Sequence, residues 1–283
     1  MKISDFKKIA HQKLKLQFSS NEVNQLLTIL IEERLSLSRL DLIKQGDITI
    51  NPDYELRLKT DLSLLVQNKP LQYILGKVNF FGLKLLVNEN VLIPRDETEE
   101  LVALVSEDYR LNKEKTARII DFGTGSGCIA LSMAKIFPTA TVEAWDISEG
   151  ALRLAQENAM LNQIEINFQK KSILEEQLAE SQRYDLMISN PPYIPPSQKM
   201  EMEERVLQYE PDLALFVEEK DPLVFYKAIV KMAQTNLKQG GSLYFEINQY
   251  LADQTLSLVS EGFESELLKD LNQNYRFIRA IKT

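Results

Sequence analysis

Hydrophobic residues recur at helical spacing through the first 75 or so positions of the chain. An apolar helical pattern follows Ser19 and Glu22, whose spacing matches a capping box. A second helical stretch, Ser38 to Lys44, is expected to end at Gly46, and Pro52 suits the first turn of a third helix. We therefore predict a small all-α bundle over residues 1–75, with no catalytic constellation inside it.

The hydrophobic period shortens after the bundle. Residues 77–80 and 83–87 flank Phe81-Gly82 and are typical of a β-hairpin. We interpret residues 76–90 as a hairpin linker between the bundle and a second domain, 91–283. Beyond it, Arg95 precedes a helix with an acidic first turn, which suits the positive end of a helix dipole. Arg95 is expected either to meet a carboxylate or to lie free on the surface.

From Arg118 onward, apolar strands alternate with helices, a pattern typical of a parallel sheet covered on both faces. Strands are expected near residues 117–120, 141–145, 166–169, 186–188 and 243–247, with a closing pair at 265–268 and 276–281. A helix over residues 223–237 is expected to end at Gly240-Gly241. Residues 194–211 are expected to be irregular, either as an active-site lid or partner-binding loop or as a plain solvated loop.

Composition narrows the possible functions. Apolar residues make up 44% of the 283 positions, charged residues make up 26%, and the formal charge is −8, which argues against general affinity for nucleic-acid backbones. One cysteine, Cys128, excludes an internal disulfide, and with one histidine, His11, it leaves no zinc-ligand cluster, so we expect no metal. His11 is expected on the surface. The charged N-terminus is unlike a signal peptide, and the longest apolar run near it, Leu26 to Ile31, is far too short to span a membrane. We therefore predict a cytoplasmic protein with no membrane contact.

A glycine-rich loop follows the first strand of the predicted sheet. Asp121 precedes glycines at 123, 125 and 127, which allow a tight turn and a close approach of a ligand to the backbone. The G-x-G-x-G spacing leads into Cys128, where a dinucleotide fingerprint would need another residue before its third glycine. A nicotinamide cofactor is therefore disfavoured, although many ordinary turns also carry glycine.

The next strand ends at Asp146, nineteen residues beyond Gly127. An acid there can accept both hydroxyls of a ribose. Its alternative role is to cap the following helix, but Ser148 already fits that position. Because Asp121, Asp146 and Asn190 all follow parallel strands, we expect them at one edge of the sheet. Residues Ser172 and Ile173, after the third strand, are candidates to border an adenine.

The tetrapeptide Asn190-Pro191-Pro192-Tyr193 follows a buried strand, and its prolines exclude further regular structure. Asn190 offers an amide, Pro191 a fixed carbonyl and Tyr193 an aromatic face. Together these three groups are suited to binding a planar –NH2 group. A proline-rich strand exit without function is the alternative interpretation of the tetrapeptide alone.

These motifs give the chain a clear resemblance. Its C-terminal two-thirds resembles a class I S-adenosylmethionine-dependent methyltransferase, and the whole chain resembles the release-factor glutamine methyltransferases. Supporting segments are 72–76, Ile93-Pro94-Arg95 with Glu97-Thr98-Glu99, 121–130, 146–148, 189–194 and 209–211. Two positions depart from the family pattern, since Asp96 replaces a usual proline and Asn248 stands where glycine is common.

The resemblance implies a Rossmann-like α/β domain with a mostly parallel seven-stranded sheet, joined by a β-hairpin to the all-α bundle. It implies methylation of the glutamine side-chain nitrogen in the Gly-Gly-Gln motif of peptide chain release factors, with S-adenosylmethionine as cofactor. The implied catalytic residues are Asn190, Pro191 and Tyr193, and the implied substrate-binding residues are Asn190, Pro191, Pro192 and Tyr193. The implied cofactor-binding residues are Asp121, Gly123, Thr124, Gly125, Ser126, Gly127, Asp146, Ser172, Ile173 and Asn190.

Two other functions stay open from the sequence alone. Enzymes that methylate adenine-N6 or guanine-N2 in nucleic acids share the tetrapeptide, but they should carry a basic surface, and the charge of −8 counts against one. A binding protein on a decayed methyltransferase fold is the other possibility. The intact glycine loop, Asp146 and Asn190 argue against it.

Overall fold

The computed structural model describes residues 1–44, 47–109 and 117–283. The chain forms two compact units. Unit 1 comprises Met1–Gly76 and Glu203–Tyr209, and unit 2 comprises Lys77–Met202 and Glu210–Thr283. The expected helix end at Gly46 lies outside the described residues.

Unit 1 is helical, as the period of its apolar residues predicts. Its helices from the N-terminal segment are α1 (Ile3–Leu14), α2 (Ser20–Leu35), α3 (Arg39–Lys44), α4 (Pro52–Val66) and α5 (Leu71–Leu75). The predicted capping box is present, with Glu22 N–H donating to Ser19 Oγ and Ser19 N–H donating to the Glu22 carboxylate. Pro52 opens α4 behind an Asn51 cap. One apolar cluster, centred on residues such as Phe6 and Leu30, fills the interior.

A further helix of unit 1 comes from much later in the sequence. Helix α9 (Glu204–Tyr209) packs against the bundle. The Tyr209 hydroxyl donates to the Gln67 carbonyl at 2.8 Å, and the Arg205 guanidinium lies 5.7 Å from the ring centre of Phe18. Residues 194–211 are therefore not irregular throughout, since α9 follows a 3₁₀ helix, Pro196–Glu201.

Unit 2 begins with the predicted hairpin, formed by antiparallel β1 (Lys77–Phe80) and β2 (Leu83–Leu86). Asn158, a buried residue of a later helix, accepts from the Leu86 N–H at 2.6 Å and donates to the Leu86 carbonyl at 3.0 Å. Both backbone groups of Leu86 thereby fix the hairpin to the rest of unit 2.

A seven-stranded sheet forms the centre of unit 2, and its order is β5-β4-β3-β6-β7-β9-β8. The strands are β3 (Arg118–Phe122), β4 (Thr141–Asp146), β5 (Asn167–Lys170), β6 (Tyr184–Ser189), β7 (Leu237–Glu246), β8 (Phe263–Lys269) and β9 (Tyr275–Lys282). The first five are parallel and β9 is antiparallel to both neighbours. This confirms the mostly parallel sheet. The chain runs outward from β3 to β5 and returns to β6 beside β3, so the strand order reverses there, where open sheets bind ligands.

The helices of unit 2 are α6 (Asp96–Tyr109), α7 (Cys128–Ile136), α8 (Glu149–Asn162), α10 (Asp212–Leu215), α11 (Val224–Asn236) and α12 (Ala252–Leu258). Successive strand residues belong to different apolar clusters: Ile119 packs with residues of α6 and α7, whereas Ile120 packs with residues of α11 and α12. Because neighbouring strand residues point to opposite faces, the sheet carries one core on each face.

Two features of unit 2 differ from what the sequence predicts. Gly240-Gly241 does not end the preceding helix, because α11 ends at Asn236 and both glycines lie inside β7, beside an irregularity in its pairing with β6. Helix α12 was not predicted. In unit 1, His11 is only partly exposed, and its Nε2 lies 2.9 Å from Asn24 Oδ1. Among the described residues, the helices are too short or too polar for a membrane span.

Candidate active site

Three polar residues come together where the parallel strands end. Asp121 lies one residue before the end of β3, Asp146 ends β4, and Asn190 directly follows β6. Strand β3 pairs with both other strands, so the three residues lie at one edge of the sheet. The structure thus brings them together as the sequence pattern predicts.

The glycine-rich loop turns sharply behind β3. Gly123, Gly125 and Gly127 all have positive φ, at 74°, 55° and 82°, which favours glycine at each position. Gly127 also lies where an added Cβ would come within 3.2 Å of the Ala155 side chain. That glycine therefore permits close packing of α8, whereas a Cβ at Gly125 would meet nothing within 4 Å.

Asp146 holds the loop from the neighbouring strand. Its Oδ2 accepts the Gly125 N–H at 2.8 Å and its Oδ1 accepts the Ser148 N–H at 2.8 Å. Ser148, in turn, caps α8 by accepting the Ala151 N–H at 3.2 Å, as predicted. Burial raises the pKa of Asp146, and the backbone donors oppose that change.

Asp121 lies behind the loop. Its Oδ2 accepts the Thr124 hydroxyl at 2.6 Å and the Ala130 N–H at 3.2 Å, while the buried Oδ1 has no hydrogen-bond partner within the part of the chain that the structure describes. Burial raises the pKa of Asp121 to about 7, and the nearby charge of Asp146 acts in the same direction. Asp121 therefore fixes the conformation of the loop from its buried side.

A cavity of about 410 Å³ opens at this edge of the sheet. Of the sequence-predicted site residues, those that line it are Gly123, Thr124, Gly125, Ser126, Asp146, Ser172, Ile173, Asn190 and Pro192. Those that do not line it are Asp121, Gly127, Pro191 and Tyr193. Thr98, Pro211 and Phe225 also contribute to the wall, and none of them was predicted as a site residue.

The amide of Asn190 is held from outside the tetrapeptide. Its Nδ2 donates to Thr98 Oγ1 at 3.1 Å, and the Thr98 hydroxyl donates to Glu246 Oε2 at 2.7 Å. The Tyr193 hydroxyl donates to the other carboxylate oxygen of Glu246, at 3.4 Å. Tyr193 packs against the apolar cluster on the α11 and α12 face of the sheet, partly buried. The buried carboxylate of Glu246 is thus bonded by Tyr193 directly and connected to Asn190 through Thr98.

Asn248, one of the two departures from the family pattern, also supports the tetrapeptide. Its Nδ2 donates to the Tyr193 carbonyl at 3.3 Å and to Gln198 Oε1 at 3.2 Å, and its side chain caps the turn at Tyr250. Glycine could make none of these contacts. The side chain therefore links the tetrapeptide to the 3₁₀ helix that follows it.

Arg95 meets a carboxylate, which was one of its two predicted roles. Its guanidinium pairs with Glu210, whose other carboxylate oxygen accepts the Ile93 N–H at 3.1 Å. Glu210 is 5% exposed, and the next residue, Pro211, lines the cavity. The pair therefore anchors one wall of the cavity to the segment that precedes α6.

Thr98, Glu246 and Asn248 are the functional candidates that the sequence reasoning missed as site residues. Thr98 lies in the quoted segment Glu97-Thr98-Glu99, and Asn248 was noted only as a departure. The one signal for Glu246 was its place at the end of a buried strand, the position that had pointed to Asp121 and Asp146. Its partners are more than fifty residues away along the chain.

Comparison with known proteins places the chain in a family. The family model described as "PrmC N-terminal domain" matches residues 10–76, and the one described as "Methyltransferase small domain" matches residues 103–209. A crystal structure of a methyltransferase from Pyrococcus furiosus, 14% identical, superposes with a TM-score of 0.51 over 82% of this chain and 99% of that one, which supports the fold.

Two sequence relatives match almost end to end. The release factor glutamine methyltransferase of Flavobacterium psychrophilum is 44% identical over 282 residues, which cover 99% of each chain. The enzyme of the same name from Bacteroides thetaiotaomicron is 37% identical over 271 residues, 96% of this chain and 92% of that one. Together with the fold and the strand-end site, these matches show that the chain belongs to the release factor glutamine methyltransferase family.

Proposed function

We propose that this chain transfers a methyl group from S-adenosylmethionine to the side-chain nitrogen of the glutamine in the Gly-Gly-Gln motif of peptide chain release factors. One observation carries the proposal: Asn190, an amide side chain, lines the same cavity as Asp146 and the glycine-rich loop. The Asn190 amide, which can bind an –NH2 group, therefore lies beside residues that can bind a nucleoside. Family membership supports the release factor as the protein that presents the –NH2 group.

The cavity residues fit S-adenosylmethionine. The backbone at Gly125 is open, and the buried Ser126 Oγ has no hydrogen-bond partner among the described residues. Asp146 would hold the ribose hydroxyls, and Ser172 and Ile173 would border the adenine. When bound, this cofactor supplies an electrophilic methyl group on a sulfonium sulfur. The loop from Gly123 to Gly127 would lie along the rest of the cofactor, and Asp121 would hold the loop in shape.

The protein's task is to activate a poor nucleophile. The lone pair of an amide nitrogen is delocalised into its carbonyl, so the nitrogen attacks weakly. Asn190 Oδ1 and the Pro191 carbonyl would accept the two –NH2 hydrogens, orient the nitrogen and stabilise positive charge as it develops. Positioning alone can contribute roughly 7–11 kcal/mol. No general base is needed, because the methylated amide loses its extra proton readily.

Aromatic groups would help to exclude water from the reacting atoms. Phe225 lines the cavity, and Tyr193, the last residue of the tetrapeptide, directs its hydroxyl to Glu246. In this proposal the ring of Tyr193, with Pro192 beside it, shapes the substrate subsite. The hydroxyl takes no part in proton transfer.

Unit 1 is proposed to recognise the folded release factor. Every candidate for cofactor or amide binding belongs to unit 2, so unit 1 is not required for the chemistry. The division proposed is a recognition domain at residues 1–75, a hairpin linker at 76–90 and a methyltransferase domain at 91–283. Because release factors work in translation, the proposed substrate implies a cytoplasmic location. The proposal includes no direct binding of nucleic acid.

The proposal is tested with labelled S-adenosylmethionine and three acceptors in parallel: a release factor, DNA and ribosomal RNA. We expect label on the release factor alone. A matched release factor with asparagine in place of the Gly-Gly-Gln glutamine should stay unlabelled. Label on DNA or RNA, with none on the release factor, would show that the enzyme is instead a nucleic-acid amino-methyltransferase.

A further inference from the structure

A chain of three side chains runs from the cavity into the core of unit 2. Asn190 lines the cavity, Thr98 and Glu246 are 3% and 2% exposed, and the successive distances are 3.1 Å and 2.7 Å. The three residues come from the end of β6, the first turn of α6 and the end of β7. Because three different elements supply them, the chain of contacts is not a by-product of local backbone geometry.

The direction of these hydrogen bonds follows from chemistry. An ionised Glu246 can only accept hydrogen bonds, so the Thr98 hydroxyl must donate its one proton to the carboxylate. The lone pairs of Thr98 Oγ1 then require a donor, which only the –NH2 end of Asn190 can supply. Asn190 is thereby held with Oδ1 free to accept from another molecule.

We propose that Glu246, acting through Thr98, is a positioning residue that fixes the orientation of the Asn190 amide for the substrate –NH2 group. The inference rests on the proposed function, because it is the glutamine amide that requires an acceptor. In the flipped orientation, Asn190 would present its own –NH2 to the substrate –NH2. Two donors would then face each other, and the nitrogen would be neither held nor stabilised.

The protonation of Glu246 sets this direction. A protonated Glu246 can donate to Thr98 Oγ1, which frees the Thr98 proton to bond Asn190 Oδ1 and permits the flipped amide. Burial raises the pKa of Glu246 to about 7, with the charge of Glu97 adding to the increase and with Thr98, Arg276 and Tyr193 opposing it. Turnover should therefore fall as the pH drops through about 7, because activity needs the ionised form.

The groups that face Glu246 come from every side. Glu97 lies on α6 beside Thr98, Tyr193 follows β6, Arg276 lies on β9, and the Cys128 thiol lies at the start of α7. The Tyr226 hydroxyl on α11 donates to the Glu246 carbonyl at 3.0 Å. Of these, Glu97 alone carries a carboxyl group, so its replacement can change the pKa of Glu246 without altering the hydrogen-bonded chain.

Four substitutions in the full-length enzyme test the inference, with methylation of a release factor measured across pH 5.5–9. Glu246→Gln and Thr98→Val should lower kcat roughly 100-fold, the size of effect that misplacing a reacting group by about 1 Å can have. Both should leave the affinity for S-adenosylmethionine unchanged and abolish the fall in kcat near pH 7. Thr98→Ser keeps the hydroxyl and should restore most of the activity. Glu97→Gln should keep activity and shift the fall to lower pH.

A measurement without substrate separates this inference from the proposed function. The carboxyl carbon of Glu246 is followed by NMR through a pH titration of the parent enzyme and of Thr98→Val. Losing the Thr98 hydroxyl should raise the pKa of Glu246 further, because that hydrogen bond favours the ionised form. In the same samples, the Asn190 side-chain –NH2 should exchange faster with water in Thr98→Val.

The outcomes are distinct. If the parent enzyme failed to methylate the release factor but the expected NMR changes occurred, the three-residue chain would be supported and the proposed function refuted. A Glu246→Gln enzyme with the kcat and pH profile of the parent would overturn the inference. So would equal impairment of Thr98→Val and Thr98→Ser, which would mean that the hydroxyl is not the group that matters.

Discussion

The carboxylate of Asp146 accepts the backbone N–H of Gly125 at 2.8 Å, which joins the end of β4 to the loop that follows β3. The same carboxylate accepts the Ser148 N–H and still lines the cavity. One acid therefore shapes the glycine-rich loop and offers its remaining lone pairs to a ligand.

Asp146→Ala should weaken the binding of S-adenosylmethionine because it removes both effects. The loss should amount to a few kcal/mol, at ~1.5–3 kcal/mol for each hydrogen bond to a charged group. Isothermal calorimetry measures the loss, and Glu149→Gln, a surface change at the first residue of α8, is the matched control. An affinity equal to that of the parent would remove Asp146 from the cofactor site.

Tyr193→Phe should keep substantial activity, whereas Tyr193→Ala should keep little. The account uses the ring of Tyr193 and not its hydroxyl, whose bond to Glu246 is long at 3.4 Å. Steady-state kinetics with a release factor compare the two enzymes. Equal loss of activity in both would point to acid–base chemistry at the hydroxyl and contradict the scheme.

The stability of unit 2 should fall as the pH rises from about 5 to about 7. Burial raises the pKa of Asp121 and of Glu246 to about 7, from 3.8 and 4.5 respectively. Over that window the folded state binds more protons than the unfolded state. Each pH unit therefore lowers the free energy of unfolding by up to about 1.4 kcal/mol per group. Urea unfolding at pH 5 and pH 8 measures the difference.

The same measurement on Asp121→Asn and Glu246→Gln supplies the control for that prediction. Each variant has one fewer carboxyl to ionise, so it should lose less stability than the parent between the two pH values. If the parent were as stable at pH 8 as at pH 5, with the variants behaving identically, the two carboxyls would not have the raised pKa values on which the prediction depends.

The contribution of unit 1 can be tested with a fragment that begins at Lys77. Because the candidate cofactor residues lie in unit 2, the fragment should bind S-adenosylmethionine like the full chain. Its methylation of an intact release factor should fall steeply. A short Gly-Gly-Gln peptide, which cannot reach unit 1, should be used about equally poorly by both proteins.

Cofactor binding by the fragment is the control for its folding, since removal of the bundle leaves α9 without the partner that Tyr209 and Arg205 contact. A second control is Tyr209→Phe in the full chain, which deletes only the bond to the Gln67 carbonyl. If the fragment modified the whole release factor as fast as the full chain does, unit 1 would not be a recognition domain.

The sequence predicted the part of the site that follows from strand ends. Asp146 and Asn190 were predictable because an apolar run followed by a polar residue marks the carboxyl end of a parallel strand, whatever the rest of the fold does. The sheet and the bundle were predictable for the same reason, since their apolar periods are regular. The path of β7 was not, because pairing with β6 carries it through Gly240-Gly241, which taken alone indicate a turn.

The parts that could not be predicted depend on contacts between distant segments. Glu246 meets Thr98 across 148 residues, and Arg95 meets Glu210 across 115 residues. No local pattern specifies such pairs, because each partner taken alone resembles an ordinary helical threonine or surface arginine. The assignment of α9 to unit 1 is of the same kind, since it depends on tertiary contacts such as that of Tyr209 with Gln67.

Mass-spectrometric mapping of a release factor treated with the parent enzyme and with Asn190→Ala tests the central claim most directly. The parent should add one methyl group to the side-chain nitrogen of the Gly-Gly-Gln glutamine. Asn190→Ala should add none while binding S-adenosylmethionine with nearly unchanged affinity, because Asn190 serves the nucleophile. A methyl group at another residue, or full modification by Asn190→Ala, would contradict the account.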